Sequence, residues 1–178
     1  MRKLRMSELN RLSTKEFHKA EKFPIVVVLD NVRSTLNVGS VFRTSDAFLC
    51  EKIYLCGLCP TPEQPEMRKT ALGGTESVEW EKVESTELAI NGLKKRGYKI
   101  ISVEQTSGSV PLQDLKFDSQ EKLAFIFGNE VSGVSEEALA LSDEALEIPQ
   151  FGTKHSLNIS VSTGIVLWKA VELIIGKA

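Results

Sequence analysis

The chain predicts an α/β fold: a single domain on a mostly parallel sheet. Three observations predict it. Apolar runs of strand length alternate with helical patterns along the chain. The first run, IVVVLD at residues 25–30, is nearly unbroken, as in central parallel strands covered on both faces. Three polar, glycine-bearing segments stand where apolar runs end, at residues 31–46 (NVRSTLNVGSVFRTSD), 127–135 (FGNEVSGVS) and 148–162 (IPQFGTKHSLNISVS). Ligands of such sheets bind beyond the carboxyl ends of the strands, so the three segments are expected to form one composite site.

Each element follows from local chemistry. Residues 7–20 read as one or two short helical turns with Ser7 and Ser13 as N-caps. Pro24 introduces the strand at 25–30. Residues 37–48 read as a helix with Val38, Val41, Phe42 and Ser45 on one stripe. Residues 52–58 (KIYLCGL) form a second strand, and 59–77, with PTPEQPE and RKTALGGTES, a long polar loop. A short strand is expected at 78–83 and an amphipathic helix at 85–96, ended by Gly97. Strands follow at 98–104 and 122–127. Ser135 opens a short helix with an acidic first turn. A last strand lies at 146–149, and Ser156 caps the long C-terminal helix.

The 178 residues fit one domain and suffice for a core without disulfides or metals. The first residues, MRKLRMSELN, lack the apolar stretch of a signal peptide. The longest apolar region, 157–175, is interrupted by Asn158, Lys169 and Glu172, so no membrane span is expected and a cytoplasmic protein is. Cys56 and Cys59 form a lone CxxC. Zinc wants four ligands and no second pair exists, while Pro60, Thr61 and Pro62 make the segment a loop; buried reduced thiols and no metal are expected. Net charge is -2, but residues 1–22 carry +4 and the remainder -6. The division expected is a basic arm, 1–22, and a main domain, 23–178. Such an arm can contact phosphate; a solvated charged helix face gives the same pattern.

No GxGxxG follows the first strand, and no GxxxxGK[ST] or GxSxG occurs, which excludes the common dinucleotide, P-loop and hydrolase signatures. The histidines are His18 and His155; His155 adjoins Ser156, but sequence neighbours make no triad. Asn37, Gly39 and Arg43 share one helix start, and Arg43 brings a planar fork of donors suited to phosphate or carboxylate. Gly128 and Gly133 flank Glu130, a carboxylate able to accept hydrogen bonds or pair with a cation such as Arg43. Ser156 and Asn158 stand at a helix N-terminus, where free amides favour an anion. Each feature alone could be an ion pair, a tight turn or a simple cap. Their coincidence supports a site.

These motifs resemble the SpoU/TrmH class of SPOUT RNA methyltransferases over residues 24–175. The class shows N-x-G-x-x-x-R, here Asn37, Gly39 and Arg43; F-G-x-E-x-x-G, here Phe127, Gly128, Glu130 and Gly133; and a strand end followed by S-L-N-x-S, here Ile148, Pro149, Ser156, Leu157, Asn158 and Ser160. Gln150 stands where Met is frequent, and Ser162 where Ala is frequent. The resemblance implies a trefoil knot near the C-terminus, an exception to the usual absence of knots. It implies S-adenosylmethionine as cofactor, placed at Gly128, Ile148, Gln150 and Leu157, with Glu104 and Gln105 contributing from a strand end. It implies a homodimer paired through the apolar faces of the first and last helices, and methylation of a ribose 2′-hydroxyl in RNA. Arg43 would be the base or the electrostatic stabiliser, oriented by Asn37, Glu130, Ser156 and Asn158. A short arm and the want of further RNA-binding domains lean toward tRNA over rRNA, with a D-loop guanosine and a wobble nucleotide both open. The other readings are base methylation, a non-catalytic RNA-binding protein on the same scaffold, and a small-molecule-binding α/β domain, which the acidic body favours.

Overall fold

The computed structural model of the protein describes residues 1–176. Seven strands form one sheet in the order β3-β2-β1-β6-β4-β7-β5, and every pairing is parallel. β1 (Phe23–Asp30) is an interior strand between β2 (Cys50–Cys56) and β6 (Lys122–Phe127). Its side chains alternate between two cores, as a pleated strand requires. Ile25, Val27 and Leu29 join a core with Val38, Val41, Phe42, Val166 and Leu167. Val26 and Val28 join Ala89, Ile90, Leu93 and Ala138 on the other face. Helices α2 (Thr35–Ala47) and α7 (Ile159–Ile175) supply the first layer, and α5 (Thr86–Lys95) and α6 (Glu136–Leu141) the second. The remaining strands are β3 (Glu79–Val83), β4 (Tyr98–Val103), β5 (Val110–Pro111) and β7 (Glu144–Glu147). Among the described residues no helix is long and apolar enough to cross a membrane.

Several boundaries differ from the sequence expectation. α2 begins at Thr35, not residue 37, because Ser34 caps it by accepting from the Asn37 amide at 3.3 Å. The stripe Val38, Val41, Phe42 and Ser45 is buried as expected. Residues 59–77 are not a plain loop. They hold a 3-10 turn (Pro65–Met67) and two single helical turns, α3 (Arg68–Ala71) and α4 (Gly74–Ser77), broken by left-handed Leu72 and Gly73. Burial of Met67, Ala71 and Val78 against the first core stabilises turns too short to show helical periodicity. β7 sits two residues earlier than expected, with Leu146 buried between β4 and β5 and Glu144 paired to Lys99 at 2.7 Å. β5 was not expected; two residues carry no period to read.

At the N-terminus, Ser13 caps α1 (Thr14–Lys19) in a reciprocal capping box with Glu16, whereas Ser7 lies inside a 3-10 turn, Met6–Glu8, instead of capping one. Phe17, the large apolar residue of α1, is buried in the core, and His18 Nε2 lies 3.0 Å from the Glu76 carbonyl oxygen. The second half of the arm is therefore docked, and α1 turns no large apolar side chain outward. Cys50, Cys56 and Cys59 are buried free thiols. Burial pushes Cys50 and Cys56 up to about 12 and Cys59 to about 11.

Candidate active site

Glu130 is the hinge of the site. Its Oε1 accepts from Asn37 Nδ2 at 3.0 Å and from the Ser34 amide at 3.1 Å, and its Oε2 accepts from the Arg33 amide at 3.2 Å. Those amides precede the first turn of α2, where unpaired N–H groups and the helix dipole favour a carboxylate. Partial burial pushes Glu130 up, but the hydrogen bonds from Asn37, Arg33 and Ser34 outweigh it, and its pKa falls below the ordinary carboxylate range. The expected Glu130–Arg43 pair does not form: Arg43 belongs to no ion pair among the described residues. The reason is helical geometry. Six residues past Asn37, Arg43 lies about 9 Å further along the axis.

The third segment closes the arrangement. Asn158 Nδ2 donates to Asn37 Oδ1 at 3.1 Å, so the Asn37 amide gives at one end and accepts at the other, which fixes its orientation. Asn158 Oδ1 accepts from the amide and hydroxyl of Ser160, at 2.8 and 2.6 Å. Asn158, not Ser156, is thus the N-cap of α7; helix α7 begins at Ile159. Its short side-chain oxygen reaches the amide two residues on, which Ser156 stands too far back to do. The three polar segments of the sequence meet in the chain Glu130–Asn37–Asn158.

Beside this chain lies a cavity of about 750 Å³ at the carboxyl ends of β4, β6 and β7. Glu104, Gly128, Ile148, Gln150 and Leu157 all line it, as do Glu130, Ser156 and Asn158. Arg43 lines a separate cleft between α2, α3 and α7. Asn37 lines neither and joins the cavity wall through Glu130 and Asn158.

Two of the cavity residues also shape the loop that walls it. A Cβ on Gly128 would stand 2.0 Å from the Gly133 carbonyl carbon and 2.1 Å from the Val134 amide nitrogen, so glycine is required there by the backbone of its own loop. Glu104 accepts from the Val134 amide at 3.0 Å and the Gln105 amide at 2.9 Å, which ties the 128–134 loop to the end of β4. Sequence reading missed Asn129. Its Oδ1 accepts from the Val131 amide at 2.9 Å and its Nδ2 donates to the Asn31 carbonyl at 2.7 Å, which shapes the loop carrying Glu130. An Asn between a glycine and a loop is the signal for such a local turn.

The cavity suits an adenosine-type cofactor. Its volume is that of a small-molecule site. Apolar Leu146 and Ile159 line it with Glu104, Glu130 and Glu147, a lining that accepts a flat apolar ring and a cationic centre together. The amides of Gln150 and Leu157 have no hydrogen-bond partner among the described residues and are free to read a ligand edge.

A parallel α/β sheet with a polar cavity at its strand ends defines a small-molecule-binding α/β protein. The SpoU rRNA Methylase family model matches residues 24–168, and the chain belongs to that family. It is 30% identical over 164 residues to a tRNA (guanosine(18)-2'-O)-methyltransferase of Thermus thermophilus, covering 92% of this chain and 82% of that protein. The crystal structure of the Aquifex aeolicus TrmH/SpoU tRNA modifying enzyme superposes with a TM-score of 0.78 at 27% identity, over 92% of this chain and 83% of the other. An AdoMet-bound rRNA methyltransferase from Sinorhizobium meliloti matches with a TM-score of 0.77 at 27% identity, over 86% of this chain and 59% of the other.

Proposed function

We propose that this protein transfers a methyl group from S-adenosylmethionine to a ribose 2′-hydroxyl of tRNA. The observation that carries the reading is the Glu130–Asn37–Asn158 chain at the wall of the cavity, made from the three motifs of a 2′-O-methylating family. The cofactor supplies an electrophilic methyl on a sulfonium. Gly128, Ile148, Gln150 and Leu157 would hold it, and Glu104 keeps the covering loop in place. The ribose oxygen would take the methyl, the sulfur would leave as the neutral thioether, and the hydroxyl proton would pass to solvent water. Arg43 stabilises the developing alkoxide charge; a guanidinium has no free lone pair to take the proton unless it first gives one up. Glu130, Asn37 and Asn158 set the relative positions of α2 and α7, and with them Arg43; Ser156, exposed on the cavity wall, contacts the nucleotide.

The relatives' names favour tRNA over rRNA, and the nucleotides those names carry are a guanosine at position 18 and a pyrimidine at position 34. Two copies pair through α7, where Val161, Ile165 and Trp168 stand exposed one helical turn apart. Leu36 on α2 extends that apolar face. The same reading carries a trefoil knot formed by the C-terminal segment. The bond from Gln105 Nε2 to the His155 carbonyl oxygen, 2.9 Å, holds that segment at His155 against the end of β4. The reaction is expected in the cytoplasm, where tRNA is processed.

The test is single-turnover methyl transfer to unmodified tRNA. Arg43→Ala is expected to lose on the order of 100-fold in rate with cofactor affinity kept, and Arg43→Lys to restore little of it, since Lys lacks the fork. Near-normal turnover by Arg43→Ala would remove Arg43 from the reaction.

A further inference from the structure

The cleft that holds Arg43 contains a second cation the motifs do not name. It measures about 540 Å³ and is lined by Ser40, Arg43 and Thr44 of α2, Lys69 and Thr70 of α3, and Ser160 of α7. Arg43 and Lys69 are both exposed, and neither joins an ion pair among the described residues. No Asp or Glu lines the cleft. The hydroxyls around them already donate to protein oxygens: Ser40 and Thr70 to the Leu36 carbonyl, Thr44 to the Ser40 carbonyl and Ser160 to Asn158. The donors left for a ligand are the two cationic heads, a pairing that selects an anion.

The backbone fixes Lys69 in this position. A Cβ on Gly39 would stand 2.2 Å from Thr70 Oγ1 and 2.6 Å from the Met67 carbonyl oxygen. Glycine at 39 therefore lets α3 sit directly on α2, one helical turn before Arg43, with Lys69 beside the same cleft. Left-handed Leu72 and Gly73 end α3 immediately afterwards, so the cation is carried on a single anchored turn.

We propose that Lys69 is a positioning residue that binds, with Arg43, one backbone phosphate of the RNA substrate. This rests on the methyl-transfer reading above. A phosphate next to the reacting ribose is the anion such a cleft meets, and it would place the 2′-hydroxyl relative to Arg43 before transfer.

The experiment uses the full chain and unmodified tRNA, with methyl-transfer kinetics at several salt concentrations, S-adenosylmethionine affinity, thermal melting and solution mass for each variant. Lys69→Gln is expected to raise KM for tRNA about tenfold and to lower the log–log salt slope by roughly 0.7–0.9, one phosphate contact. Cofactor affinity, melting and mass should be unchanged, and Lys69→Arg should restore KM. Arg68→Gln, next door but outside the cleft, should leave KM and slope near wild type. An equal loss with Arg68→Gln would mean a diffuse basic surface and overturn the proposal. So would an unchanged KM and slope in Lys69→Gln, or a change of mass placing Lys69 in a subunit interface. A wild-type protein that methylates no RNA would instead overturn the functional reading itself.

Discussion

Asn37 and Glu130 lie 93 residues apart in the chain, yet the Asn37 amide donates to the Glu130 carboxylate at 3.0 Å. That bond joins the start of α2 to the loop after β6. The Asn158 amide, donating to Asn37 at 3.1 Å, adds the start of α7. One asparagine therefore holds three chain segments in register at the strand ends.

Asn37→Ala removes the acceptor for Asn158 and a donor to Glu130 together. Turnover is expected to fall at least tenfold, with a stability loss of only about 1 kcal/mol because the site is half open to water. Methyl-transfer rates beside a urea melt check this. Full activity would show that the Glu130–Asn37–Asn158 chain does not set the site.

Glu130 predicts the acid limb of stability. Its folded pKa lies below that of the unfolded chain, so its contribution is complete above about pH 4.5 and is lost as pH falls through the lower folded value. Urea melts of wild type from pH 7 to pH 3 should show this loss only below about pH 4.5, and Glu130→Gln should flatten that part of the difference. A Glu130-dependent loss between pH 5 and 7 would contradict the hydrogen-bonded carboxylate.

The cap of α7 is a direct choice between two residues. Asn158→Ala should cost about 1 kcal/mol, the usual worth of an N-cap. Ser156→Ala should change stability by less than about 0.5 kcal/mol, as a surface substitution. Thermal melts distinguish them, and a larger loss at Ser156 would restore it as the cap.

Glycine substitutions separate backbone need from open loop. At Gly128 an added methyl meets backbone at 2.0–2.3 Å, and Gly128→Ala should destabilise by roughly 1–3 kcal/mol. At Gly152 nothing lies within 4 Å, and Gly152→Ala should be close to neutral. Equal effects at both would place the cause outside steric packing.

The fold was legible where burial and period agree. IVVVLD read as a central strand because both of its faces are covered, and Ser13 read as a cap because a cap and the helix it opens are neighbours in sequence. The turns in 59–77 were hidden because their stability comes from Met67 and Ala71 packing on distant residues. β5 was hidden because two residues cannot show alternation. In the site, the three motifs meet in one hydrogen-bonded chain, and all five residues expected at the cofactor line one cavity. Their partners were less legible. Charge alone suggested Arg43 for Glu130, whereas the fold offers nearer donors in Asn37 and two backbone amides. Backbone donors leave no mark in a sequence.

The most direct measurement mixes purified protein and tritium-labelled S-adenosylmethionine with unmodified tRNA and unmodified rRNA separately, then digests each to nucleosides. The site described here predicts label in a 2′-O-methylated nucleoside from tRNA. Label on a base, or no label in either RNA despite bound cofactor, would contradict it.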